Sequence, residues 1–116
     1  MQLSHYATYG ILVLQELRKA QGPLTKFQLG AALGIGPIYV QQLMIRLMEA
    51  GLAASVRGPH GGYVLADREH KATVLEVVEA MRMAAEPQGP GRFSLVYQRV
   101  QQHLLKALDK LKVDAL

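Results

Sequence analysis

The stretch "GIGPIYVQQLMIRLMEAGL", residues 34–52, decides how this chain folds. Pro37 suits the first turn of a helix, where a backbone N–H has no partner in any case, and Gly36 can cap that turn. The apolar spacing predicts a helix from Pro37 to Ala50, which Gly51 ends. Its buried stripe is expected to consist of Val40, Leu43, Met44 and Leu47.

A second, shorter helix is predicted just before this one, in "LTKFQLGAAL". Thr25 and Gln28 have the spacing of a capping box, so the helix begins at Lys26 and ends near Gly34. Two short helices joined by a tight, glycine-bounded connection are typical of a helix-turn-helix.

The sequence after residue 51 predicts a β-hairpin. "LAASVRG" and "GYVLAD" are short runs rich in β-branched and aromatic residues, and a sharp turn joins them. A phosphate-binding loop is disfavoured, because no Gly-Lys-Ser/Thr follows and a strand, not a helix, leaves the turn. A hairpin after a helix-turn-helix is typical of a wing. The predicted wing residues are Arg57, Gly58, Pro59, His60, Gly61 and Gly62.

Two further helices flank this unit. Ser4 can cap a first helix from His5 to about Ala20, with Gly22 expected to provide a left-handed stop. Thr73 and Glu76 form a second capping box, which begins a fourth helix. This helix is expected to carry Val74, Val77, Val78 and Met81 on one stripe.

The last third of the chain predicts a linker and a long helix. Two prolines and two glycines in "AAEPQGPG" favour a flexible connection. Apolar residues then recur at three- and four-residue steps, which predicts a dimerisation helix. Its seam is Phe93, Val96, Val100, Leu104, Leu108 and Leu111. The expected fold is mainly α with a small β-hairpin: a winged helix-turn-helix over residues 1–83, a linker over 84–92, and a long C-terminal dimerisation helix over 93–116.

Composition narrows the function classes. The 116 residues are enough for about one domain. The net charge of +4 weakly favours an anionic partner, and the absence of cysteine excludes thiolate chemistry. The four histidines fall in four different elements, so we expect no enzyme, metal site or cofactor. No apolar run approaches the length of a membrane span, so we expect a cytoplasmic protein without a membrane partner.

The predicted third helix has an outward face that suits double-stranded DNA. Glutamine amides can bond to adenine edges, and tyrosine or arginine can reach phosphates or bases. The recognition candidates on this helix are Tyr39, Gln41, Gln42 and Arg46. Ile38 and Ile45 are unusual on such a face, and either thymine methyl groups or the wing would cover them. At the helix N-termini, the expected DNA contacts are Thr25, Lys26 and Ile38.

The chain resembles a known family through "LSHYATYGILVLQEL", "IYVQQLMIRLMEAGLAASVRGPHGGYVLA" and "TVLEVVEAM". It is similar to the winged-helix transcription regulators that include IscR, NsrR and CymR. The resemblance implies a homodimer, with recognition helices in successive major grooves of a partly palindromic operator. By matching position, Tyr39, Gln41 and Gln42 occupy base-reading positions and Arg57 is the wing arginine. Repression is the action that the resemblance implies.

The chain also departs from the family pattern. Gln41 replaces a frequent glutamate and Ile38 a common serine, so the operator is expected to differ. Where cluster-binding members have three cysteines, this chain has "AAEPQGPGRFSL", which predicts a member without an iron-sulfur cluster. Two alternatives remain open: a terminal helix that binds a heterologous protein, and a small effector in a crevice. The crevice residues would be Tyr6, Tyr9, Met81, Met83 and Phe93.

Overall fold

Within the residues that the computed structural model describes, which are 4–82, 106 and 109–116, the chain has four α-helices and one β-hairpin. The elements in chain order are α1 (His5–Lys19), α2 (Lys26–Leu33), α3 (Pro37–Glu49), β1 (Ala53–Val56), β2 (Gly62–Leu65), α4 (Val74–Arg82) and a 3-10 helix (Val113–Ala115). The predicted order of first helix, helix-turn-helix, hairpin and fourth helix is confirmed.

The connection between α2 and α3 is as tight as the glycine pattern predicts. The Thr25 hydroxyl accepts from the Gln28 N–H at 3.1 Å, and the Gln28 side chain accepts from the Thr25 N–H at 2.9 Å. Gly34 ends α2 in a left-handed conformation, with φ at 73°. A Cβ on Gly30 would lie 2.7 Å from the Ile35 carbonyl oxygen, so only glycine fits where the two helices meet.

The core lies between α3, α1 and α4. The predicted α3 stripe is confirmed, because its four members have no exposed surface: Val40, Leu43, Met44 and Leu47. Gly10 lets α1 approach α4 closely, since a Cβ there would lie 2.8 Å from Met81 Cε. Burying each large aliphatic side chain stabilises the fold by about 1.5–3 kcal/mol, which holds α3 on its inner side.

The hairpin is bonded to the segment before α2. β1 and β2 pair antiparallel from Ala53 opposite Leu65 to Val56 opposite Gly62. Tyr63 in β2 also pairs with Leu24 through two backbone hydrogen bonds of 3.0 and 2.7 Å. A Cβ on Gly62 would lie 2.6 Å from the Leu24 carbonyl oxygen, which explains the glycine there. The start of β2, next to the turn, is therefore joined to the segment just before the N-terminal cap of α2.

The end of α1 differs in detail from the expectation. The helix stops at Lys19, and Ala20 is the C-cap in an extended conformation. Positive φ is found at Gly34, Gly51, Gly58 and Gly62, so the prediction of a left-handed stop at Gly22 is wrong. The Arg68 side chain instead bonds to the carbonyls of Leu17 and Arg18 in the last turn of α1. The Arg18 guanidinium donates to the carbonyls of Arg68 and His70.

The predicted linker and much of the predicted dimerisation helix lie outside the described residues. Those seam positions are Phe93, Val96, Val100, Leu104 and Leu108. The division into a DNA-binding domain, a linker and a dimerisation helix stays a prediction over that part of the chain.

Residues 109–116 are not α-helical, so a helix running to residue 116 is wrong at this end. A turn at 109–110 leads to a bridge between Lys112 and Thr73, and then to the 3-10 helix. The Leu111 carbonyl accepts from the Val74 N–H at 2.8 Å, and its side chain is 37% exposed. Val113 is buried beside α1. Packing of Val113 and bonding to the start of α4 outweigh helical periodicity here.

The described helices are too short or too polar for a membrane. None of them, within residues 4–82 and 109–116, is long and apolar enough to cross one.

Candidate nucleic-acid interface

The outward face of α3 combines amide and aliphatic side chains. Ile38, Gln41, Gln42 and Ile45 follow one another at i, i+3, i+4 and i+7, and all four are exposed. Residues at that spacing share one face of a helix, directly opposite the buried stripe. Ile38 and Ile45 are 70% and 48% exposed, so neither is covered by the wing. The described part of the chain thus leaves this whole face accessible.

Gln41 is held on the side of this face that is nearer the wing. Its side-chain oxygen accepts from Lys26 Nζ at 3.5 Å, and the same ammonium lies 5.4 Å from the centre of the Phe27 ring. The Phe27 side chain is 65% exposed. Lys26 therefore connects the start of α2 with α3 and leaves the Gln41 NH₂ group available as a donor.

Gln42 is held from the opposite side by α1. The Tyr6 hydroxyl donates to Gln42 Oε1 at 3.2 Å. Tyr6 stacks on Tyr39, with ring centres 5.3 Å apart, and Tyr9 meets the Tyr39 ring edge-on at 5.7 Å. Burial, together with the neighbouring Tyr6 and Tyr9 hydroxyls, raises the pKa of Tyr39. Tyr39 stays neutral, and its ring supports Tyr6, which orients Gln42.

Arg46 lies on a flank of α3, away from the row of glutamines and isoleucines. It is half-buried and borders an open groove between α3 and α4. Glu49, Glu76 and Glu79 border the same groove. The structure therefore brings Gln41 and Gln42 together on the outward face, but places the Arg46 side chain beside carboxylates.

The wing projects from the body of the protein. Arg57, Gly58, Pro59 and His60 are exposed. Gly58 has φ at 114°, and its carbonyl accepts from the Gly61 N–H at 3.0 Å, which closes the turn. A Cβ on Gly61 would collide with the Val56 carbonyl oxygen. Positive φ and close backbone approach explain the glycines in this turn.

An open groove separates the wing from the two helices. It is bordered by Thr25, Lys26, Phe27 and Gln41 on one side and by Val56 and Arg57 on the other. The Thr25 hydroxyl is already used as the α2 cap. Lys26, Gln41 and Arg57 thus share one concave surface, which has a cation at each rim.

Charge is distributed unevenly along the chain. Residues 17–66 contain five basic residues, which are Arg18, Lys19, Lys26, Arg46 and Arg57. Over the same span Glu49 is the single acidic residue. Arg18 and Lys19 lie at the end of α1 and pair with Asp114 and Glu16. The helix-turn-helix and the wing carry the other three cations, so their surface has a small positive excess, which favours a polyanion.

Comparison with known proteins agrees with this geometry. The sequence model described as "Rrf2: Iron-dependent Transcriptional regulator" matches residues 3–116. The chain belongs to the Rrf2 family. The resemblance to regulators of the IscR and CymR kind is confirmed.

The related sequences are transcriptional regulators by name. The chain is 34% identical over 96 residues to the HTH-type transcriptional regulator IscR of Vibrio campbellii, a match that covers 78% of this chain and 57% of the relative. It is 29% identical over 89 residues to CymR of Bacillus subtilis, covering 75% of this chain and 64% of the relative. The chain thus spans little more than half the length of the IscR sequence that it matches.

Solved structures share the fold. The structure of T. potens IscR has a TM-score of 0.74 with 25% identity, and the match covers 98% of this chain and 84% of that one. The structure of CymR from B. subtilis has a TM-score of 0.73 with 23% identity, covering 98% and 94% of the two chains. The architecture is that of these winged-helix regulators.

The donor set of this Rrf2 chain does not fit the iron that the family description names. The 116 residues include no cysteine, so no thiolate can ligate a cluster. In the described portion of the chain, no three His, Cys, Asp or Glu side chains form a group that could hold a metal ion. The side chains that face the candidate interface are instead amides, aliphatic groups and cations.

The predicted effector crevice is only partly described. Tyr6 and Tyr9 pack on the Tyr39 ring, and Met81 is 4% exposed in the core. Met83 and Phe93 lie outside the described residues. The described members are thus packed against other side chains.

Sequence reasoning missed three contributors to this surface. Tyr6 orients Gln42, Phe27 stands exposed beside Lys26, and Leu24 joins the wing to α2. The spacing of Tyr6 and Tyr9, three residues apart on one helix, was a signal for an aromatic cluster. No local signal marks the pairing of Leu24 with Tyr63.

Proposed function

We propose that this Rrf2 chain is a DNA-binding transcription regulator, working in the cytoplasm, that inserts α3 into the major groove. The observation that carries the proposal is the exposed row of Ile38, Gln41, Gln42 and Ile45 beside a basic wing. A major groove about 12 Å wide admits one α-helix, and amide side chains can bond to base edges there. The names of the relatives support the same function.

Each predicted residue has a role in this proposal. Gln41 and Gln42 contact base edges, while Lys26 and the N-terminal turn of α2 contact phosphates. Arg57 enters the narrow minor groove, whose enhanced negative potential attracts a guanidinium group. His60 at the exposed tip adds a phosphate contact. Tyr39 acts through Tyr6 on Gln42, and Arg46 contacts a phosphate or a base from the flank of α3.

The active form proposed is a homodimer that binds a partly palindromic operator and represses transcription. The seam from Phe93 to Leu108 has the spacing of a helix that packs on another helix. Two copies related by a twofold axis would match two half-sites of an operator. In a transcription assay in vitro, adding the protein should reduce the transcript from a promoter that overlaps the operator.

The proposed regulator works without an iron-sulfur cluster. The missing cysteines support this, because thiolates are the usual ligands of such clusters. Protein purified without oxygen should lack visible absorption bands and should bind DNA equally well after treatment with an iron chelator. A chelator-sensitive affinity would contradict this part of the proposal.

DNA binding is tested with a labelled random duplex in a fluorescence anisotropy titration. The logarithm of the association constant should fall linearly with the logarithm of salt concentration, by about 0.9 per phosphate contacted. A duplex selected from a random library should then bind about 10³-fold or more tightly than the unselected pool. Salt-independent binding, or no binding, would favour a protein-interaction module instead.

The oligomeric state is best tested with substitutions in the predicted seam, because a truncation would also disturb the core. Removing the chain after residue 86 would also remove Val113, which is buried in the core. The double variant Val100→Asp, Leu104→Asp puts two charges on the predicted seam and should sediment as a monomer. Val100→Ala, Leu104→Ala is the matched control with apolar side chains. An unchanged dimer in the aspartate variant would contradict the seam assignment.

A further inference from the structure

Two branched aliphatic side chains stand on a face that would otherwise be polar. Ile38 is 70% exposed, more than any other large hydrophobic residue in the described portion of the chain, and Ile45 is 48% exposed. Gln41 and Gln42 lie between them on the same face of α3. An exposed isoleucine gains nothing from the core, but its methyl groups are removed from water when a partner covers this face.

We propose that Ile38 determines operator sequence by contacting the C5-methyl group of a thymine in the major groove. The inference rests on the proposed function and adds the base that this residue selects. Among the major-groove edges, thymine alone carries a methyl group, and apolar side chains contact it. Ile38 is the second residue of α3, and the N-terminal residues of a recognition helix are those that reach base edges.

The arrangement of the face favours DNA over an apolar protein partner. Ile38 and Ile45 are seven residues apart, which is about 10.5 Å along the helix axis. The buried centre of a protein–protein interface is more apolar than its surroundings, but here two amides separate the isoleucines. A·T pairs provide both partners: acceptors and donors for the amides, and methyl groups for the isoleucines.

The charge beside Gln41, three residues along from Ile38, points the same way. Lys26 Nζ contacts Gln41, three residues further along the same face, and Arg57 lies across the groove beside Gln41. Cations near this face of α3 suit the phosphate strands on either side of a groove that holds a thymine methyl group. An apolar groove of a protein would bring no anions to these side chains.

The experiment compares thymine with deoxyuridine, which lacks only the methyl group. A duplex is first selected from a random library with the wild-type protein, and each thymine is then replaced singly by deoxyuridine. One thymine in each half-site should weaken binding about four-fold when replaced, which is ~0.8 kcal/mol for one buried methyl group. Affinity is measured by fluorescence anisotropy at fixed salt.

The variant Ile38→Ala then assigns the effect to one residue. It should bind the thymine and deoxyuridine duplexes equally, which closes a double-mutant cycle on the methyl contact. Leu116→Ala, which shortens another exposed aliphatic side chain, is the matched control and should keep the four-fold discrimination. Circular dichroism confirms that each variant is folded.

Two results would overturn the inference. One is a selected duplex that binds tightly but tolerates deoxyuridine at every thymine; the other is Ile38→Ala that keeps the wild-type discrimination. In both cases DNA binding itself persists, so the proposed function survives. Loss of all DNA binding by wild-type protein, in contrast, would refute the proposed function.

Discussion

The reading face of α3 and the tip of the wing are built in different ways. Four side chains on the inner side of α3 are fully buried. On its outer side, Gln41 and Gln42 are each hydrogen-bonded by a residue of another helix. The wing tip is held by backbone hydrogen bonds alone, and Arg57 has no hydrogen bond or ion pair within the described residues. The helix thus presents ordered side chains, while the wing arginine must lose rotamer freedom when it binds.

The largest effect is expected on stability, from substitution of a buried side chain of α3. Leu43→Ala removes a fully buried side chain beneath α3 and should lower the free energy of unfolding by about 2–5 kcal/mol. Urea denaturation followed by circular dichroism measures the loss. Ser55→Ala, at an exposed wing position, is the control and should change stability by less than about 0.5 kcal/mol. A similar loss in both variants would contradict a rigidly supported α3.

The wing side should affect DNA binding and leave stability unchanged. Arg57→Ala should cost about 1–3 kcal/mol of affinity for a selected duplex, because the guanidinium contact is lost. The unfolding midpoint should not change, since the described residues hold Arg57 by no side-chain bond. Lys110→Ala removes one charge from an exposed turn and controls for net charge. Equal losses in both variants would refute a specific wing contact.

A smaller effect tests whether Gln42 is ordered in advance. Tyr6→Phe keeps the ring that stacks on Tyr39 but removes the hydroxyl that donates to Gln42. Affinity for the selected duplex should fall by about 0.5–1.5 kcal/mol, the net value of one hydrogen bond. Tyr9→Phe is the matched control, because its edge contact with Tyr39 does not involve Gln42. Equal affinities for the two variants would show that Gln42 needs no such support.

The smallest effect is expected in the pH dependence of stability, which Glu76 should change without changing DNA binding. Burial raises the pKa of Glu76, but hydrogen bonds from His70 and Thr73 and the charge of His70 outweigh it, so the pKa lies below its ordinary value of 4.5. A carboxyl group of this kind stabilises the fold fully above its unfolded pKa, and this contribution is lost as pH falls through the folded pKa. Wild-type protein should therefore lose more stability below pH 4.5 than Glu76→Gln does.

The measurement is urea denaturation at several pH values between about 3 and 7, with the difference between the two proteins plotted against pH. Glu79→Gln, which changes a neighbouring carboxyl group on α4, is the control. A difference that does not depend on pH would contradict the ion-pair and capping role of Glu76. Affinity for DNA near neutral pH should be unchanged in both variants.

What the sequence predicted well is local. The capping boxes at Thr25 and Thr73, the glycine after α2 and the buried stripe of α3 depend on residues within one or two helical turns. Such patterns involve residues that are close together in sequence, so the starts of helices and their buried faces can be predicted from them directly.

What the sequence could not supply are contacts between distant parts of the chain. Tyr6 meets Gln42 across 36 residues, and Leu24 pairs with Tyr63. At the other end of the chain, seam spacing predicted a helix through Leu111, but Val113 packs near α1 and the backbone there bonds to α4. Helical periodicity gives no information on which competing tertiary contact is stronger.

The pairing of Leu24 with Tyr63 has a consequence for engineering new operator preference. Two backbone bonds fasten the hairpin to the residue before the α2 cap, so the placement of the wing beside α2 depends on contacts between Leu24 and Tyr63. If α3 alone were transplanted into a relative, its DNA-contacting side chains would pack against α2 and a wing with different side chains. A chimera that exchanges the whole segment from Leu24 to Tyr63 keeps the native placement of α3 relative to the wing.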